Sequence, residues 1–322
     1  MKRVTLLAII FNILLFLGAV GFISYQLSPV STSQTEQTIV IPKGASISSI
    51  GNQLVQKGLI KSLYVFRFVV WKNTLQGSIQ AGTFKVSPSQ SVEEIAFSLT
   101  KGTDDTWVTL VEGWRNEEIA EELAQTFGPE FDTKKFLELA KEKQGYLFPN
   151  TYLFPKLSTP ELIISTLSKT FEKQLGAEDM QKLEAQKRTL EQAVTMASLV
   201  EREARQPETM RMVAGILWKR LDAGWPLQVD ATLQYAKGYD KKNKSWWSVP
   251  FGMDKSIKSV YNTYANPGLP PAPICNPGLN ALKAVANPKE SPYWYYITDD
   301  NGVMHYAETL SEHNANVKKY LQ

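Results

Sequence analysis

The chain has 322 residues, 43% of them hydrophobic and 21% charged, with a formal net charge of +3. Such a length can hold two or three domains with their own cores, and so small a charge does not argue for a nucleic-acid partner. A single cysteine, Cys275, rules out an intramolecular disulfide and a multi-Cys zinc site, and two histidines, His305 and His313, leave triads and metal hydrolases short of parts. Carboxylate chemistry is not short of parts.

After Lys2 and Arg3, residues 4–23 ("VTLLAIIFNILLFLGAVGFI") carry no charge. At about 1.5 Å per residue they would span a bilayer core of about 30 Å. The run exceeds the ~7–15 apolar residues of a signal peptide and no A-x-A site follows, so an uncleaved anchor is expected. Basic residues precede the run and none follows before Lys43, which places the N-terminus in the cytoplasm and the rest of the chain outside it. Residues 24–37 ("SYQLSPVSTSQTEQ") read as a polar tether.

A weak internal repeat follows. "VIPKGASISSIGNQL" (40–54), "VSPSQSVEEIAFSL" (86–99) and "LVEGWRNEEIAEEL" (110–123) each predict a short strand, a turn and a helix opening. Ile50, Ile95 and Ile119 each precede a leucine by four positions, which gives one buried helical face per unit. The stretch 107–187 reads as mostly helical, broken by an extended segment, "GYLFPNTYLFP" (145–155), and closed by a linking helix over 160–175.

"TMASLVEREARQPETM" (195–210) predicts a helix. On a wheel, Leu190, Ala193, Val194, Ala197, Val200 and Ala204 share one sector, and Glu201 falls inside it while Glu203 points to the far side. A carboxylate aimed with the core must be paired, solvated by a cleft or protonated. Burial raises a carboxyl pKa, which suits a general acid near neutral pH. The bland reading is an ion pair with Arg205 at i+4. Further on, "SVYNTYANPGLPPAPICNPG" (259–278) predicts a stiff loop presenting Tyr261, Asn262, Thr263 and Tyr264. "SPYWYYITDDNGVMHYAETLSEHN" predicts two strands around a "DDNG" turn.

Small βα modules like those before residue 106 resemble a LysM-like fold, which reads N-acetylglucosamine polymers. "ASLVEREA", "LQVDATLQYA", "YNTYANPGLPPAPICNPG" and "SEHN", in that order behind an apolar N-terminus, resemble the MltG (YceG-like) family of endolytic murein transglycosylases. "EGWRNEEIAEEL" and "GYLFPNTYLFP" match its upstream segments. Gln144, Asn150, Ala231 and Ala272 depart from the family's usual Glu, Asp, Pro and Gly. The resemblance implies that Glu201 is the catalytic acid/base, with Gln228, Asp230, Tyr261, Asn262, Thr263 and Asn314 binding substrate and with no metal or cofactor required. Implied partners are peptidoglycan glycan strands, the lipid bilayer and peptidoglycan synthases.

The expected architecture is α+β. A cytoplasmic stub and transmembrane helix (1–23) and a linker (24–37) lead to a LysM-like module (38–106). A helical connecting region (107–187) and a mixed helical/β catalytic domain (188–322) follow. Two rival functions stand beside this one: a hydrolysing muramidase with Asp230 as second carboxylate, and an anchored wall-binding protein whose glutamate is structural.

Overall fold

The computed structural model describes residues 2–321 apart from 43, 103 and 104, and the side chains of 2–10 and 12 lie outside the description. The chain divides into two compact units, one of residues 1–107 with 153–158 and one of 108–152 with 159–322.

The first unit runs α1 (Lys2–Leu27), β1 (Gln37–Ile41), α2 (Ile47–Gln56), α3 (Leu63–Lys72), β2 (Gly82–Val86) and α4 (Val92–Ser98). β1 and β2 pair antiparallel from Gln37↔Val86 to Ile41↔Gly82, which sets Ile39 against Phe84. Ile50, Leu54, Phe66, Val70, Ile95 and Leu99 are buried around this pair. The repeated Ile–Leu spacing therefore supplies its core, as the strand–turn–helix pattern predicts. Ser46, Ser62 and Ser91 each cap a helix, and Ser91 and Glu94 form a reciprocal capping box.

The apolar run 4–23 lies within α1, but its first residues fall among the undescribed side chains. Among the described residues, no helix is long and apolar enough to cross a membrane. Leu27 packs on the first unit's core, and Lys61 Nζ donates to Tyr25 O and Ser28 Oγ, both at 2.8 Å. Ser31 N–H donates to Pro88 O and Ser87 Oγ to Ser33 O. The stretch 24–37 is thus helical at its start and hydrogen-bonded further on, not free chain as a tether would be. Its own hydroxyls take further N–H groups within the stretch, Ser31 Oγ from Ser33 and Ser33 Oγ from Thr35.

β3 (Asp105–Thr109) pairs with β4 (Thr151–Pro155), and the division between the units falls within both strands. In the second unit come α5 (Asn116–Phe127), α6 (Thr133–Ala140), α7 (Pro160–Phe171), α8 (Ala177–Ala185) and α9 (Leu190–Glu203). α10 (Pro207–Asp222), α11 (Asp230–Lys237) and α12 (Leu279–Ala286) follow. The chain ends in the antiparallel hairpin β5 (Tyr295–Thr298)–β6 (Met304–Ala307) and α13 (Leu310–Tyr320). Asp299 accepts the N–H groups of Asn301 and Val303, which shapes the "DDNG" turn between the last two strands.

α9 is the axis of this unit. Thr189 and Gln192 form its capping box, and it packs against α8, α10, α11 and α12. Every residue from Ala193 to Val200 is buried. Small side chains at 193, 197 and 198 let its neighbours approach closely, and Ser198 Oγ accepts the N–H of Ile274 at 3.0 Å. The one-sided stripe of the wheel is therefore incomplete: a central helix is enclosed on all sides, and its far face is not solvent. α9 ends at Ala204, which is extended, and Pro207 starts α10.

Candidate active site

Glu201 occupies the last turn of α9. Its Oε2 accepts the N–H of Gly278 at 2.8 Å. Burial is the main cause that raises its pKa to about 6; the Gly278 N–H opposes it, the nearby Glu112 carboxylate adds to it and Arg202 opposes it. Among the described residues no cation lies within ion-pair distance of Glu201, Arg205 included.

Two glycines make room for this side chain. A Cβ on Gly278 would lie 2.6 Å from Glu112 Cγ and 3.4 Å from Glu201 Oε2. Gly113 has φ +79°, and a Cβ there would meet Arg202 Nη1 at 3.1 Å and Glu201 Cγ at 3.5 Å. The Glu112–Gly113 turn is held by Asn276, whose carbonyl accepts the Gly113 N–H and whose own N–H donates to Trp114 O. The Arg202 guanidinium carbon lies over the Trp247 ring, 3.8 Å from its centroid, and Trp247 Nε1 donates to Glu118 Oε2 at 2.8 Å. Arg115 stacks on Tyr235 and Trp246 in the same aromatic wall.

Two adjoining cavities flank the end of α9 and share Arg202, Glu203 and Thr298. One, of about 530 Å³, is lined by Glu201 and by the β5–β6 turn. The other, of about 720 Å³, is lined by Gln228, Asp230, Tyr264, Tyr296 and His313 among others. A further cavity of about 710 Å³ around Trp218 and Trp294 contains none of the residues expected in the site.

The structure sorts the residues expected to bind substrate. Gln228 and Asp230 do line a cavity, Asp230 accepting the Tyr264 O–H at 2.6 Å. Gln228 holds φ +53°, a left-handed backbone at a non-glycine, fixed by its N–H to Thr263 O. Asn262 and Thr263 do not line the groove. Asn262 is fully buried, donating to Lys255 O and Ile257 O and accepting from Tyr264 N–H. Thr263 Oγ1 accepts the Val229 N–H and bonds to the Thr232 hydroxyl. Their polar groups are spent bracing a proline-rich loop that has few N–H groups of its own. Tyr261 packs its ring on Tyr235 at 4.7 Å, inside the wall, so it is Tyr264 that faces the cavity. Asn314 is exposed on α13, where one residue of helical rotation gives the cavity to His313 instead.

Sequence reasoning missed Glu112, Gly113, Gly278 and, above all, Glu203. Glu203 is not on a solvated face. Burial, with Asp230 adding and the Tyr296 O–H opposing, raises its pKa to about 7. The glycines of "EGW" and "NPG" were the one available signal for the first three. Among the described residues no group of three His, Cys, Asp or Glu side chains could hold a metal ion.

Comparison with known proteins follows the same lines. The model of the YceG-like family matches residues 39–319. The endolytic murein transglycosylase of Bacillus subtilis (strain 168) is 30% identical over 326 residues, covering 92% of this chain and 88% of that protein. The protein of that name from Streptococcus pneumoniae serotype 2 is 28% identical over 96% of this chain, and the chain spans 64% of that relative's length. A crystal structure of a yceG-like protein from Listeria monocytogenes is 29% identical, with a TM-score of 0.58 over 88% of this chain and 99% of that one.

Proposed function

The chain belongs to the YceG-like family, and from that membership and the setting of Glu201 we propose that it is an endolytic lytic transglycosylase of peptidoglycan. The observation that carries this reading is a half-buried carboxyl with a pKa of about 6, beside a cavity and, among the described residues, without an ion-pair partner. Protonated Glu201 gives its proton to the glycosidic oxygen between N-acetylmuramic acid and N-acetylglucosamine. The carboxylate that results, held by the Gly278 N–H, takes the proton of the muramic C6 hydroxyl as that oxygen closes on C1. One residue serves both transfers and no water enters.

A hydrolysing muramidase would need a second carboxylate at a defined separation. Asp230 is a poor candidate, since it lines the other cavity and is held by Tyr264. Glu112 is the carboxylate whose charge acts on Glu201. The products decide between the two reactions: intact glycan treated with the protein should yield 1,6-anhydro ends by mass spectrometry. Reducing ends heavier by one water would replace this reading with hydrolysis.

The anchor belongs to the same proposal. Phe11, Leu14, Phe16 and Phe22 on α1 are each more than 60% exposed, which a lipid environment would explain. The chain should stay with membranes through alkaline extraction, with its catalytic unit on the extracytoplasmic side. Release into the supernatant would refute the anchor. The order β1–α2–α3–β2, with its outer strands paired antiparallel, supports reading the first unit as LysM-like. Chito-oligomers, which lack muramic acid, should then compete the inactive full chain off insoluble glycan. Undiminished retention at saturating oligomer would count against glycan reading by this unit.

A further inference from the structure

Glu203 takes no part in the proton transfers proposed for Glu201, yet burial raises its pKa further, to about 7 against about 6. It stands two residues later on the last turn of α9 and borders both cavities. Its Oε2 accepts the Tyr296 O–H from β5 at 3.0 Å, and the Ala231 N–H in the first turn of α11 faces its carboxyl and draws its pKa down. Beside Ala231 lies Asp230, held by the Tyr264 O–H, and two residues earlier comes the strained backbone of Gln228. One carboxyl thus stands where three elements meet, between the two cavities.

We propose that Glu203 is a positioning residue of the glycan groove: by tying the end of α9 to β5 and to the head of α11, it fixes Asp230 and Gln228 against the helix end that carries Glu201. The inference rests on the reading of Glu201 as the acid.

The tie works with a neutral carboxyl. Arg202 on its own helix is stacked on Trp247, and Arg220 of α10 donates to the carbonyls of Trp294 and Leu227. Lys255 stands over the Tyr264 ring, and His313 of α13 stacks on Tyr295, with burial pulling its pKa down. None of these cations forms an ion pair with Glu203 among the described residues, and the Asp230 charge raises its pKa by more than the Arg202 charge lowers it. An ionised Glu203 would therefore face like charge in a buried place, and the joint would loosen.

The test measures kcat and KM of the full chain on glycan strands from pH 5 to 8.5, for the native protein, Glu203→Gln, Glu203→Ala and Glu201→Gln. In the native protein log kcat/KM should fall above about pH 6 with a slope of about −1, as Glu201 loses its proton, and steepen to about −2 above pH 7. Glu203→Gln keeps an oxygen for Tyr296 and cannot ionise. It should stay within about threefold of native at pH 6, with the slope held near −1 throughout. Glu203→Ala should lose about tenfold or more at pH 6, chiefly through KM. A native slope that never passes −1, an alanine variant equal to native, or a glutamine variant as inactive as Glu201→Gln would each overturn the proposal. Native turnover by Glu201→Gln would overturn the reading of Glu201 on which it rests, a result visible apart from any Glu203 outcome.

Discussion

Glu201→Gln should lower the yield of anhydro-ended products from intact glycan by at least about 10³-fold, because the proposed mechanism gives both proton transfers to this one group and an amide performs neither. The same substitution should leave the fold as stable as native, or more so. The substituted amide keeps a side-chain oxygen for the Gly278 N–H, so the hydrogen bond that holds this carboxyl survives. What disappears is the burial of a charge. The folded pKa lies at about 6 against 4.5 ordinarily, so its contribution is fully present below about pH 4.5 and is lost as pH rises through 6. At pH 8 that loss amounts to about 2 kcal/mol, which the amide does not suffer. Thermal unfolding at pH 5 and pH 8, run beside the product assay, checks both halves. A structural glutamate would give the opposite pair of results: cleavage retained, or absent in both proteins, and a lower Tm in the variant.

The contrast between the two glutamates shows what a wheel can and cannot see. Glu201 was legible because small and apolar residues at helical spacing left a carboxyl pointing with them. Glu203 was not, because the wheel treats the opposite face as solvent, while eight consecutive buried residues make α9 an axis with neighbours on every side. Local signals with a short-range cause came through well: the three strand–turn–helix units, the "DDNG" hairpin, the extended break before α7. The polar residues of the "YNTY" stretch were legible as a motif but not in their role. Whether Asn262 meets a sugar or a loop carbonyl depends on how the prolines fold the loop back upon itself. Glu112 and Gly113 lie almost 90 residues before Glu201 in the sequence, and nothing in a local pattern brings them beside it. Tertiary contact alone does that, and Asn276 is the residue that makes it.

Asn276→Ala should therefore be the most damaging substitution after Glu201→Gln. The side chain is 1% exposed and all of its hydrogen-bonding groups are engaged. Its Oδ1 accepts the N–H groups of Gly145 at 2.8 Å and Leu147 at 3.0 Å. Its Nδ2 donates to Trp114 O and Asn116 Oδ1, both at 3.1 Å. Alanine leaves two buried N–H donors without partners, at a cost of about 1–3 kcal/mol each. A total loss of about 3 kcal/mol lowers the Tm of a unit this size by roughly 6–12 °C. Activity should fall further than stability explains, since Gly278 lies two residues on and the lost Nδ2 donates to Trp114 O, next to the Gly113 turn. At temperatures where the variant is still folded, a loosened Gly278 N–H no longer fixes the acid, and a displacement on the order of 1 Å can cost 10²-fold. Asn276→Asp separates the two effects. Its carboxylate still accepts from Gly145 and Leu147 but faces the Trp114 and Asn116 oxygens, so it should sit between native and alanine in Tm. Unfolding curves within about 2 °C of native for Asn276→Ala, or full turnover in a variant with a lowered Tm, would show that the Glu112–Gly113 turn and Glu201 are held in register by something other than this amide.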